Sequence, residues 1–416
     1  MKTFNLGRFS DLPAHAPLRT RLKRLARILL ILLLIIVVII VSCVAFVEIR
    51  RHQALMLPAP TGPYATGRME YDWTDQSRND QFAPHAGTKR ELVVWTWYPA
   101  MRVRGAQPAP YLPSKWGQLS DQQHSFFGLQ LVQSSDSIQA HSVDRVPLAT
   151  DATRYPVLIF EPGLGNIPMQ YTTLIEDLAS HGYIVFAITP TYSSDVVVFP
   201  NGRAVEATSA GKLDKGANPQ AAADQLVTVW AKDVIFVMNQ LDKLNGTPGG
   251  TFSGHLDLAR LGVFGHSLGG ATAAQVCHMD TRCKAGIDID GSLAGDVVQT
   301  GLDKPFMVVQ HDMGTCSDAD CHSFQRDIHA ILRPVPHGAS YHIGVNNTKH
   351  FNFSDYAIYF SPLRALGLLG SIDGVRGLQI TRAYVRAFFD TYLNSAPSPL
   401  LRGLTSAYPE VQFYTP

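Results

Sequence analysis

The 416-residue chain is predicted to be an α/β protein, a mainly parallel sheet covered by helices and preceded by one transmembrane helix. Three observations predict this. From residue 155 onward, short apolar runs of strand length alternate with longer segments of helical period. Within that alternation, residues 261–275 read LGVFGHSLGGATAAQ, an apolar run turning through Gly-x-Ser-x-Gly into a small-residue helix. Residues 28–47 hold no charge over twenty positions, enough to cross a hydrocarbon core as a helix. With 46% hydrophobic and 17% charged residues, the rest of the chain has ample material for a core and is not a disordered one.

Taken in order, residues 1–27 form a basic segment with seven Lys or Arg against one acid, Asp11. Of the chain's net charge of +1, this segment carries +6, so the remaining chain is about −5 and offers no basic face for nucleic acid. Basic residues before 28–47 and few after it predict a signal anchor, with a cytoplasmic N-terminus and everything from Glu48 outside. The rivals are a cleaved signal peptide, although no A-x-A-like site follows, and lipidation at Cys43 in a loose lipobox, Ile40 to Cys43. All three place the remainder outside the cytoplasm. Residues 48–63, with Pro58, Pro60 and Pro63, read as a stalk, and residues 64–416 as one catalytic domain. Four further cysteines form two close pairs, Cys277 with Cys283 and Cys316 with Cys321, which in an exported domain suggests two short-loop disulfides. Neither spacing is a metal-binding C-x-x-C, and no metal or cofactor is expected.

Inside the domain, residues 90–99 alternate as an early strand, and 101–153 read as a long irregular insertion with one helix. Strands are expected at 155–160, 183–188, 260–264, 284–289, 305–310 and 339–345. Helices are expected at 171–181, 220–244 and 377–393, and the end of the chain, 397–416, as a strand-like tail. The apolar stretch 356–369 allows two readings. It is packed on the core, or it faces lipid, which requires Leu363, Leu366, Leu368 and Leu369 to be exposed.

The turn at Gly265-His266-Ser267-Leu268-Gly269 is a nucleophile elbow, which marks the α/β-hydrolase fold. A serine hydroxyl is a weak nucleophile and needs a base within hydrogen-bond reach, itself oriented by an anion. In this fold class the order along the chain is Ser, acid, His. His350 follows a late strand across a short polar loop and is the candidate base; His311, His322, His337 and His342 read as surface or packed residues. For the acid, topology alone leaves Asp290 and Asp312 open, each ending a strand. The oxyanion hole requires two backbone N–H groups: Leu268, following the nucleophile, and Leu164, in the glycine-containing loop after the 155–160 strand.

These residues resemble the plasma-type platelet-activating factor acetylhydrolase family. The resemblance lies in 157–165 with Leu178-Ala179-Ser180-His181-Gly182-Tyr183, in 265–271, in Gly286-Ile287-Asp288-Ile289-Asp290, and in His350-Phe351-Asn352-Phe353-Ser354-Asp355. It implies Asp290 as the acid and a calcium-independent serine hydrolase acting on short or oxidised acyl esters of phospholipids. Four features depart from the family: Glu161-Pro162 stand where it commonly has Ser-His, and the Cys316/Cys321 loop, the insertion after Phe360 and the membrane segment are not part of the resemblance. The expectation is a membrane-tethered ester hydrolase with lipid or another ester as its substrate partner. A lipase- or polyesterase-like hydrolase, an acyltransferase and a catalytically silent binding domain are the alternatives.

Overall fold

The computed structural model describes residues 18–123, 125–126, 129–130, 133–213, 218–314, 319–360 and 362–414. It falls into two units, Met1–Arg51 and His52–Pro416. In the first, a single helix α1 (Leu18–Arg51) runs through the whole apolar segment and extends beyond it at both ends. Its 34 residues give a rod of about 50 Å, against roughly 30 Å of hydrocarbon.

The second unit is built on ten strands: β1 (Ala65–Asn79), β2 (Lys89–Ala100), β3 (Val143–Asp144), β4 (Tyr155–Glu161), β5 (Ile184–Thr189), β6 (Leu256–His266), β7 (Ala285–Ile289), β8 (Phe306–His311), β9 (Ser340–Val345) and β10 (Val411–Tyr414). Their order across the sheet is β10-β9-β8-β7-β6-β4-β5-β2-β1-β3. The six central strands, from β9 to β5, are parallel, and β2 and β10 flank them antiparallel. Parallel strands covered on both faces are apolar throughout, as β4 is: Val157 and Ile159 enter one core, Leu158 and Phe160 the other. Helices α2 (Thr172–Ser180) and α6 (Gly374–Leu393) supply residues to the second core. Helices α3 (Pro219–Gly246), α4 (Leu268–Met279) and α5 (Ala319–Leu332) supply the first.

Two long elements escaped the sequence reading. Strand β1 runs fifteen residues beside β2, but its charged residues hide the apolar signal. Arg68, buried within it, is paired with Asp144 at 3.0 Å. Helix α5 was not anticipated either. The stalk differs from expectation too. Leu55–Met56 pairs with Ile138–Gln139, Leu57 is 1% exposed, and Thr61 N–H donates to Asp177 Oδ1 at 2.8 Å. Residues 55–63 therefore lie on the domain instead of spanning free solvent, because Leu57 has an apolar site and the backbone has acceptors there.

Cys277 and Cys283 form a disulfide joining the end of α4 to the approach to β7. Cys316 lies outside the described residues. The 356–369 stretch divides: Leu363 and Leu369 are buried with Tyr356, while Leu366 and Leu368 are 70% and 39% exposed. The lipid-facing reading required all four leucines outside, and two are not, since Tyr356 and the Phe351 ring give them a local core.

Candidate active site

The elbow forms where β6 ends against the first turn of α4. Ser267 has φ 56° and ψ −126°, a left-handed strained conformation that a non-glycine residue rarely holds. Its N–H donates to Ile289 O at 2.8 Å, tying the turn to β7. The flanking glycines are steric requirements: a Cβ on Gly265 would lie 2.2 Å from the Gly269 carbonyl carbon, and one on Gly269 2.1 Å from Glu161 O. A Cβ on Gly163 would meet the Ser267 Cβ at 3.2 Å, so the 162–166 loop passes directly over the elbow. Among the described residues, neither Leu164 nor Leu268 N–H has a protein acceptor, so both donors are open.

His350 opens a short turn (His350–Phe353) after β9. Asn352 Oδ1 holds that turn by accepting from Lys349 N and Gly370 N, both at 2.7 Å. The His350 ring lies 4.5 Å from that of His266, the residue before Ser267. Its Nδ1 lies 2.6 Å from Asp290 Oδ2. Asp290 sits just past β7 with φ 59°, its side chain 2% exposed. Burial alone would raise its pKa, but hydrogen bonds from His311 and His350 outweigh it and hold the carboxyl well below the usual range. Asp312 is elsewhere: it accepts from Asn347 N at 2.9 Å and Gly314 N at 3.0 Å, bracing the loop that leads to His350. The first of these bonds is the main cause of its lowered pKa.

Two further residues meet the site, and both were missed in the sequence. His311, expected at the surface, donates its backbone N–H to Asp290 Oδ1 at 2.8 Å, with Nδ1 2.7 Å from the same oxygen. The only signal for it was its place at the end of the strand next to β7. Tyr171, buried, has no marker in the sequence. Its hydroxyl accepts from Gly163 N at 3.2 Å and Asn166 Nδ2 at 2.9 Å, and lies 2.9 Å from His266 Nδ1. On the other side, His266 Nε2 lies 2.9 Å from the His350 carbonyl. Burial, with the His350 ring adding to it, pulls the His266 pKa down to about 3. A neutral ring facing a carbonyl must carry its proton on Nε2 and accept from Tyr171 on Nδ1. One relay, Gly163 to Tyr171 to His266 to His350, thus joins the 162–166 loop, the elbow and the histidine loop.

The same geometry bears on metal binding. One donor atom each from His266, Asp290 and His350 lie within 4.8 Å of one another. Both ring nitrogens of His266 are engaged in the relay, so it has no lone pair to offer an ion. Glu161, the residue that replaces the expected serine, is buried with neither carboxylate oxygen hydrogen-bonded among the described residues, and burial raises its pKa.

The family described as "Platelet-activating factor acetylhydrolase, isoform II" matches residues 49–202 and 237–396. Among curated proteins, a "Probable 1-alkyl-2-acetylglycerophosphocholine esterase" of Arthroderma benhamiae is 28% identical over 86% of this chain and 94% of its own length. A "Platelet-activating factor acetylhydrolase" of Cavia porcellus is 24% identical over 65% of this chain and 64% of its own. Among solved structures, a ferulic acid esterase from Streptomyces cinnamoneus superposes with TM-score 0.71 and 31% identity, covering 88% of this chain and all of that one.

Proposed function

The chain belongs to the platelet-activating factor acetylhydrolase isoform II family and is a carboxylic ester hydrolase, and on that premise we propose that Ser267, His350 and Asp290 are its catalytic triad. His350 Nε2 takes the Ser267 proton as Oγ attacks the ester carbonyl. Asp290 holds the His350 Nδ1–H and stabilises the imidazolium that forms. Leu164 and Leu268 N–H groups receive the developing oxyanion, each such donor contributing roughly 3 kcal/mol to the transition state. The protonated His350 then releases the alcohol, and water, activated by the same imidazole, cleaves the acyl-enzyme. The observation that carries this reading is the 2.6 Å contact between His350 and Asp290 beside a serine strained at φ 56°.

The substrates we assign are short-chain acyl esters, in keeping with the acetyl ester in the fungal relative's name. The ferulic acid esterase likeness favours a second class, aromatic acyl esters, on this same site. Helix α1 is a signal anchor that tethers the hydrolase to a membrane with the catalytic domain outside, supported by its apolar length and the basic residues before it. A fluorophosphonate probe is expected to label the wild type and not Ser267→Ala, whose turnover falls by several orders of magnitude. Labelling retained in that variant sinks the triad. A panel of nitrophenyl acetate, nitrophenyl palmitate, ethyl ferulate and 1-alkyl-2-acetylglycerophosphocholine separates the substrate classes. Turnover confined to palmitate or ferulate removes the short-acyl assignment.

A further inference from the structure

Asp290 carries two histidines, and the triad accounts for one. His350 Nδ1 approaches Oδ2 at 2.6 Å. His311 comes from the end of β8, with its backbone N–H 2.8 Å from Oδ1 and its Nδ1 2.7 Å from Oδ1 and 3.0 Å from Oδ2. An ionised carboxylate only accepts, so both imidazoles present Nδ1–H to it. The three donors differ in what they constrain. The His350 contact lies on a loop and engages one oxygen. The two from His311 lie on a strand, engage Oδ1 from backbone and ring together, and so define the plane of the carboxylate. The register supports this: Ile289 is paired with Val309, and Asp290 N–H donates to Val309 O at 2.7 Å, so His311 is set beside Asp290 by the sheet itself.

Resting on the triad reading above, we propose that His311 is a positioning residue of the reaction: it holds the Asp290 carboxylate in the one orientation that turns Oδ2 toward His350. A buried carboxylate held only by His350 and one backbone N–H rotates about its Cβ–Cγ bond, and the imidazole it orients then spends less time aligned with Ser267. The loss falls on the chemical step and not on ester binding, because His311 acts through Asp290.

The test uses three substitutions at one position in the full-length chain. Asn places an amide N–H the same number of bonds from Cα as the imidazole Nδ1, Gln places it one bond further, and Ala removes it. His311→Ala is expected to lower kcat about tenfold with KM within twofold, since the backbone donor to Oδ1 remains. His311→Asn is expected to restore kcat to within about threefold of wild type, and His311→Gln to resemble Ala. The rate of fluorophosphonate labelling, which depends on the same base and no particular ester, follows the same ranking. Melting temperatures are measured alongside: a packing role moves kcat of all three in step with stability and overturns the proposal. Equal kcat in wild type and Ala overturns it too. Ser267→Ala, labelled in parallel, separates the two failures: retained labelling there defeats the triad itself, whereas silent His311 variants beside an unlabelled Ser267→Ala defeat only the role of His311.

Discussion

Asp288 and Asp290 stand two residues apart at one end of β7 and have opposite fates. Asp290 lies where three strand ends converge and takes hydrogen bonds from two imidazoles and a backbone N–H. Asp288 lies one step inside the sheet, fully buried, where Oδ1 accepts from Gly291 N at 2.8 Å and Oδ2 has no partner among the described residues. Burial therefore dominates and raises the Asp288 pKa, with the Asp290 charge adding to the effect. The same residue type at nearly the same depth has its pKa lowered in one place and raised in the other. Donors, and not burial, decide which carboxylate can support a protonated histidine.

The largest effect expected from this contrast is catalytic. Asp290→Asn is expected to lower kcat by about 10³–10⁴, because an amide no longer stabilises the His350 imidazolium and favours the wrong tautomer. Asp288→Asn, nearly isosteric, is expected to leave kcat within about threefold. Steady-state kinetics of the two variants checks the pair, and equal losses would show that the strand-interior carboxyl is also charged and engaged.

A second test moves the comparison to Asp355, which belongs to the loop of His350 but shares the burial of Asp288. Its carboxyl, raised to about 7 by burial, receives long contacts of 3.3–3.4 Å from Thr173 N and 3.3 Å from Tyr111 Oη. A folded pKa above the unfolded one means that the native state binds more protons, so stability falls as pH rises from about 4 to about 7. Asp355→Asn removes that loss and is expected to stabilise the domain at pH 8 relative to pH 4, by at most about 4 kcal/mol. Urea unfolding of both proteins at the two pH values measures it. Asp290 has the opposite sign: its lowered pKa stabilises the fold above about pH 4 and the contribution is lost as pH falls further.

The smallest expected effect concerns the relay. Tyr171→Phe keeps the ring and removes the hydroxyl that joins Gly163, Asn166 and His266. A loss of about tenfold in kcat is expected, about 1.4 kcal/mol, since both the 162–166 loop and the elbow lose one restraint. Unchanged kcat in a folded Phe variant would reduce the relay to packing.

The elbow and His350 were legible because their signals are local: Gly265, Ser267 and Gly269 constrain one another within five residues, and His350 follows its strand across one short loop. Strand β4 and helix α3 were legible for the same reason, since burial on a regular element writes a period into the chain. The choice of acid was not. From the residues alone Asp290 and Asp312 were equivalent strand-end carboxylates, and only family resemblance separated them. His311 read as a surface residue and Tyr171 as nothing more than the start of a helix, while β1 was lost among its own charges. These depended on which strand ends the sheet brings together and where loops cross them, distances set by register and packing across 60 residues between Asp290 and His350. The amino-acid order by itself determined the chemistry available: a strained serine, a histidine after the last parallel strand, and an apolar helix ahead of them. Only the tertiary structure decided which carboxylate is charged and which histidines it holds, because a hydrogen bond is a matter of tenths of an ångström and sequence spacing carries no such information between separate strands.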